Sequence, residues 1–248
     1  MIGDNLLKSN RELHSPHSLF GVMSSGISGN LGADDYDSMY ESRSALTTIQ
    51  KQHFVDWFSG SALDSRWVYG YSNAGSTNEM SDIVDGGYRQ VHGGGVHYSM
   101  YINFAGKHQY SATGSVIIGV CRMNSVAQRG SFFIGLMNGN LAGSSSWQGG
   151  GVDVKNHAGL AKQHERNIFA SSADGSTHTT TDLAVGGDAY KTYKTELGSA
   201  NIKFTVDGVL KATKTVNRPS GGLQPTFGGQ HEGGQGYGHI TYMECYNT

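Results

Sequence analysis

Ile202-Lys203-Phe204-Thr205-Val206-Asp207-Gly208-Val209-Leu210 carries the decisive pattern: Ile202, Phe204 and Val206 alternate with polar residues, an Asp-Gly pair follows, and a second apolar run begins at once. Alternation with a period of two marks a strand with one buried face, and Asp-Gly tolerates the positive φ that a two-residue hairpin loop requires. The stretch is therefore read as a β-hairpin. Upstream, the run from Val96 to Phe104 alternates in the same way and predicts a core face made of Val96, Tyr98, Met100, Ile102 and Phe104. Strand-like runs also occupy 54–58, 67–71, 115–123, 131–137, 190–197, 201–206, 209–213 and 239–246, separated by turns rich in Gly, Ser and Asn. With 37 glycines in 248 residues, about twice the usual share, the chain can turn this often. These short strands, with no long amphipathic helix among them, predict one all-β domain over residues 53–248, an antiparallel jelly-roll sandwich.

Composition excludes several classes. The glycines follow no three-residue period and only three prolines are present, so the chain is not collagen. Three Trp, 13 Tyr and nine Phe supply the bulk that disordered chains lack. A formal charge of −2, from 18 basic and 20 acidic side chains, predicts no nucleic-acid partner, and no apolar run approaches the roughly 20 residues that span a bilayer, so no membrane partner is expected. Cys121 and Cys245 allow one bridge at most and do not form a zinc pattern; two free, buried thiols are expected.

Residues 1–52 differ from the rest. They hold four basic and six acidic side chains, so the chain's whole formal excess lies there, and their apolar islands, such as Leu6-Leu7 and Leu19-Phe20, are too sparse for a core of their own. The segment reads as a polar extended arm, with a loose helical spacing over 38–51, that orders against other subunits of an assembly. Its start, Met1-Ile2-Gly3-Asp4-Asn5-Leu6-Leu7-Lys8, lacks the basic and apolar regions of a secretory signal.

Three stretches in order resemble the concanavalin A-like lectin/glucanase superfamily, including its laminin-G-like jelly rolls. Phe54-Val55-Asp56-Trp57-Phe58, with Leu63-Asp64-Ser65-Arg66-Trp67, looks like the opening strand of such domains. Ser131-Phe132-Phe133-Ile134-Gly135-Leu136-Met137-Asn138 is similar to the central strand. The run from Tyr190 through the Asp207-Gly208 hairpin, then 239–247, is similar to the closing strands. The resemblance covers 53–248 and implies the jelly-roll fold. That superfamily holds glycosidases, lectins and structural modules alike, so it leaves function open.

Glycosidases of this fold carry Glu-x-Asp-x-(x)-Glu on one strand, where spacing two brings carboxyl groups to one face at the ~5–5.5 Å that retaining hydrolysis needs. The nearest stretch here is Glu79-Met80-Ser81-Asp82-Ile83-Val84-Asp85, whose spacing of three splits Glu79 from Asp82. Followed by Gly86-Gly87, it reads as a solvated loop. No cofactor is implied, and Ca2+ is the one ion that Glu79, Asp82 and Asp85 would suit. The 11 histidines are scattered and read as loop residues, and His164-Glu165-Arg166 reads as a solvated charge group. Trp147, with Gln148 and Asp153, is the candidate glycan-binding patch, because sugars stack on aromatic faces beside amide and carboxylate groups. Trp57 and Trp67 are expected in the core.

The missing carboxylate cluster favours a non-enzymatic structural protein: a virion component such as a capsid decoration or fibre, in an extracellular assembly joined through residues 1–52. A lectin module for cell-surface glycan and a glycoside hydrolase with unrecognised carboxylates stand as the other readings.

Overall fold

The computed structural model describes residues 53–59, 62–72, 80–84, 86–92, 98–105, 110–125, 131–139, 155–163, 167–231 and 236–248. The described residues form strands, turns and irregular segments, with no helix. In chain order the strands are β1 (Phe54–Asp56), β2 (Val68–Ser72), β3 (Met80–Val84), β4 (Gly87–His92), β5 (Tyr98–Asn103), β6 (Tyr110–Ser111), β7 (Ser115–Ser125), β8 (Ser131–Met137), β9 (His157–Gln163), β10 (Ile168–Ala173), β11 (His178–Asp182), β12 (Lys191–Leu197), β13 (Ile202–Val206), β14 (Val209–Lys214), β15 (Gly222–His231) and β16 (Gly236–Asn247).

Two antiparallel sheets face each other. The first runs β14-β13-β12-β7-β16-β4-β3, with β1 also paired to β16, and the second runs β11-β10-β9-β8-β15-β5-β2, with β6 also paired to β15. This is the expected jelly-roll sandwich. The Asp207-Gly208 hairpin joins β13 to β14 with φ of 50° and 78°, both in the left-handed region. The resemblance to the opening, central and closing strands holds in place as well. β1 lies on β16, β8 is the middle strand of the second sheet, and β12, β13 and β14 lie side by side.

The core lies between the sheets, as period-two alternation requires. Tyr193 and Leu197 on β12, Ile202, Phe204 and Val206 on β13, and Ile117, Cys121 and Met123 on β7 meet Phe132, Ile134 and Leu136 on β8 and Ala158 and Leu160 on β9. Met100, Ile102 and Phe104 are buried as predicted. Cys121 and Cys245 are free and buried. In the β7–β16 ladder Cys121 stands opposite Ile240 and Cys245 opposite Ile117, which separates the thiols by four residues, about 13 Å, too far for a bridge.

Along β16 the register shifts between Ile240 and Tyr242. Ile240 faces the core, and without the shift Tyr242 and Glu244 would follow it inward. The bulge at Thr241 resets the alternation, so Met243 and Cys245 are buried and Tyr242, Glu244 and Tyr246 lie on the outer face.

Several expectations change. Trp67 is in the core at 6% exposure, but Trp57 is 46% exposed. Phe58 takes the core place instead: its φ is 49°, and Asp56 Oδ1 accepts its backbone N–H at 2.7 Å while Asp56 Oδ2 accepts the Trp67 indole N–H at 2.6 Å. The stretch 80–84 is not a loop but β3, an outermost strand, paired to β4 through Met80 with Gln90, Ile83 with Tyr88 and Val84 with Gly87. Asp82 lies within β3, while Glu79 and Asp85, like residues 1–52 with their helical spacing at 38–51, lie outside the described residues.

Candidate functional site

The second sheet is buried on both faces over part of its width: all seven residues of β8 are buried, although only alternate ones reach the core. Tyr101, Phe133, Met137 and Ala161 form an apolar cluster separate from the main core, on the outer face of this sheet.

Cross-strand register explains its shape. Gly70, Tyr101, Gly228, Phe133, Ala161 and Phe169 form one row, each opposite the next. Large and small residues alternate along it, and the Tyr101 ring covers Gly70, where an added Cβ would come within 2.1 Å of the ring. The neighbouring row runs Val68, Asn103, Thr226, Gly135, Gly159 and Ser171. The Phe133 ring leans over this second row, within 2.5 Å of a Cβ at Gly135 and 2.6 Å of one at Gly159. A third row holds Gln224, Met137, His157 and Ala173.

Polar groups on this face are tied down. His157 Nδ1 lies 2.8 Å from the Lys155 carbonyl, which can only accept, so the neutral ring carries its proton there and Nε2 accepts from the Ser171 hydroxyl at 2.8 Å. The Phe133 ring meets His157 edge-on at 5.7 Å. A hydroxyl bonded to an imidazole has the parts of a nucleophile and its base, but both residues are fully buried, so the pair braces β9 against β10. Asn103 accepts the Ala105 backbone N–H at 2.8 Å, and Gln224 donates to the Gly139 carbonyl at 3.0 Å. The result is a rigid floor of aromatic and polar rows over glycines.

Sequence reading did not reach this floor. His157 was expected in a loop, yet it is buried on β9, and His239, in the run read as a strand, is buried on β16. The available signal was the adjacent pair Phe132-Phe133 in one strand, since neighbours in a strand face opposite ways and one ring must lie outside the sandwich. Trp147, Gln148, Asp153 and His164-Glu165-Arg166 lie outside the described residues. Among the described residues no three His, Cys, Asp or Glu side chains come together as a metal site. A cavity of about 110 Å³ lined by Ser115, Glu196, Asn201, Lys203 and Thr248 is smaller than the roughly 300 Å³ at which ligand pockets begin.

No protein-family model matches the chain, and no curated protein matches it in sequence. Solved structures do match. The chain is similar to Bacillus licheniformis beta-glucanase at TM-score 0.56 and 13% identity, over 79% of this chain and 98% of that one. It is similar to a prokaryotic beta-1,3-1,4-glucanase (lichenase) from a mouse hindgut metagenome at TM-score 0.59 and 11% identity, over 79% and 100%. The catalytic domain of an endo-1,3-beta-glucanase (laminarinase) from Thermotoga petrophila follows at TM-score 0.55 and 15% identity, over 78% and 96%. At these identities the likeness is one of fold, and the fold is the concanavalin A-like jelly roll.

These likenesses overturn the expectation of a non-enzymatic virion component, capsid decoration or fibre, and with it the expectation that the chain is no enzyme. The three structures described share the jelly roll over nearly their whole length and are named as glucanases.

Proposed function

We propose that this chain is a glycoside hydrolase acting on a β-linked glucan. The observation that carries the reading is the match of its jelly roll, almost end to end, with proteins named as glucanases. In this reading the outer face of the second sheet is the floor beneath the substrate, and its packed rows hold that floor rigid, as a preorganised site requires.

Hydrolysis of a glycosidic bond needs two carboxyl groups, one to protonate the leaving oxygen and one to act as nucleophile or to activate water. No described strand holds more than one Asp or Glu, so the acid and its partner come from different segments. Asp153 precedes β9, Glu165 follows it and Glu232 follows β15 in the sequence, and all three lie outside the described residues.

The test is reducing-end release from mixed-linkage β-1,3-1,4-glucan and from laminarin by the full chain. The expected result is release from at least one of them, with a loss of about 100-fold or more in two of Asp153→Asn, Glu165→Gln and Glu232→Gln. Absence of new reducing ends from both glucans, with the protein folded, overturns the reading.

A further inference from the structure

The outer face of the first sheet carries an exposed aromatic ledge. Trp57, 46% exposed, packs on Tyr242 with ring centroids 4.6 Å apart and planes tilted by 54°. The Tyr242 hydroxyl donates to Glu244 Oε2 at 2.7 Å, His53 Nε2 lies 2.9 Å from Glu244 Oε1, and the His53 ring meets Tyr246 edge-on at 5.8 Å. The ledge thus joins an exposed tryptophan and an exposed imidazole to two tyrosines and a carboxylate.

One departure from regular backbone and one regular strand pairing produce this arrangement. The bulge at Thr241 turns Tyr242 and Glu244 away from the core, where uninterrupted alternation would have sent them. On the facing segment, period-two alternation from buried Phe54 puts Phe58 in the core and Trp57 on the outer face, beside the Val55–Glu244 pair, and Phe58 itself holds a φ of 49°, unfavourable for a bulky residue. Strain of about 1–3 kcal/mol persists only where surrounding contacts over-determine it, here the two hydrogen bonds to Asp56.

We infer that this ledge is a polysaccharide-binding site, separate from the floor of the second sheet, that takes a neutral hexopyranose chain. The C–H face of a pyranose ring stacks on the exposed indole, and the sugar hydroxyls reach the Glu244 carboxylate, the Tyr242 hydroxyl and His53. A folded sandwich places this face on the opposite side of the core from the other sheet's outer face, so a chain held here does not compete with one held there. That the sugar is a β-linked glucan rests on the function proposed above; the stacking chemistry does not.

Affinity electrophoresis of the full chain through gels containing mixed-linkage β-glucan or laminarin tests the inference. Retardation of the wild type in one of them is expected, with a roughly 10-fold or greater loss of affinity in Trp57→Ala and in Tyr242→Ala, and most of the affinity kept in Trp57→Phe. Hydrolysis of a short oligosaccharide, measured in parallel, is expected to be the same in Trp57→Ala as in the wild type. Retardation that depends on Trp57 in a chain without hydrolytic activity upholds the ledge and removes the hydrolase reading. A folded wild type that neither gel retards, or a Trp57→Ala variant retarded as strongly as the wild type, overturns the inference.

Discussion

Gly159 stands opposite Gly135 across the β8–β9 ladder, and a Cβ on either would meet the Phe133 ring within 2.6 Å. At Gly159 the added carbon would also come within 2.4 Å of the Ile134 carbonyl, which belongs to the ladder and cannot move aside. Gly159→Ala is therefore expected to lower stability by about 1–3 kcal/mol, the usual range for overpacking. Urea denaturation checks this, and an unchanged midpoint would show that the ring does not lie over the glycines.

Asp56 is bonded through both carboxylate oxygens, to the Phe58 N–H and the Trp67 indole. Asp56→Ala removes both acceptors and releases the left-handed conformation of Phe58. A loss of about 2–4 kcal/mol is expected from two charge-assisted bonds. Thermal melting reads the loss. A variant as stable as the wild type would mean that core packing alone holds Phe58.

Lys214 is buried on β14 at 6% exposure, donating to the Thr179 carbonyl, and burial pushes its pKa down to about 8. In the unfolded chain the same group titrates above 10. Below pH 8 it is charged in both states and the folded state bears its desolvation. Between pH 8 and 10.5 the unfolded chain binds more protons, so this group's contribution to stability rises with pH, by about 3 kcal/mol in all. Lys214→Met is expected to gain on the order of 1–3 kcal/mol at pH 7, a gain that shrinks as pH approaches 10. A difference between variant and wild type that stays constant over that range would contradict the assignment.

Cys121 and Cys245 are fully buried, and desolvation pushes both thiols well above their ordinary range. A thiol-specific chromogenic reagent at pH 8 should find almost no reactive thiol in the native protein and two equivalents after denaturation, because only the thiolate attacks. Rapid modification of the native protein would place one of them at the surface.

The first sheet was the legible one. Its strands β12 and β13 alternate cleanly, and Asp207-Gly208 announces its hairpin. The second sheet was mostly hidden. Strands β9 and β10 read His-Ala-Gly-Leu-Ala-Lys-Gln and Ile-Phe-Ala-Ser-Ser-Ala, with small and polar residues at core and outer positions alike, so the period-two signal vanishes. β15 contains Pro225 and Gly228-Gly229, which ordinarily argue against a central strand. Pro225 is tolerated because it falls in the interval that neither β6 nor β5 pairs, and Gly228 is needed because Tyr101 lies against it. The aromatic ledge was half legible: alternation from Phe54 puts Trp57 outside, but the bulge at Thr241 that turns Tyr242 and Glu244 outward leaves no periodic trace.

β16, last of the described strands in chain order, is an inner strand of the first sheet, flanked by β7 along one edge and by β4 and β1 along the other. While the protein is being synthesised, β1 and β4 therefore have no route to β7 until the final strand emerges, and their open edges must wait. Such a nascent chain offers unpaired backbone to neighbouring chains on the same message for most of its synthesis. Growth temperature and chaperone supply, more than the stability of the finished domain, should decide how much of this protein is recovered in native form.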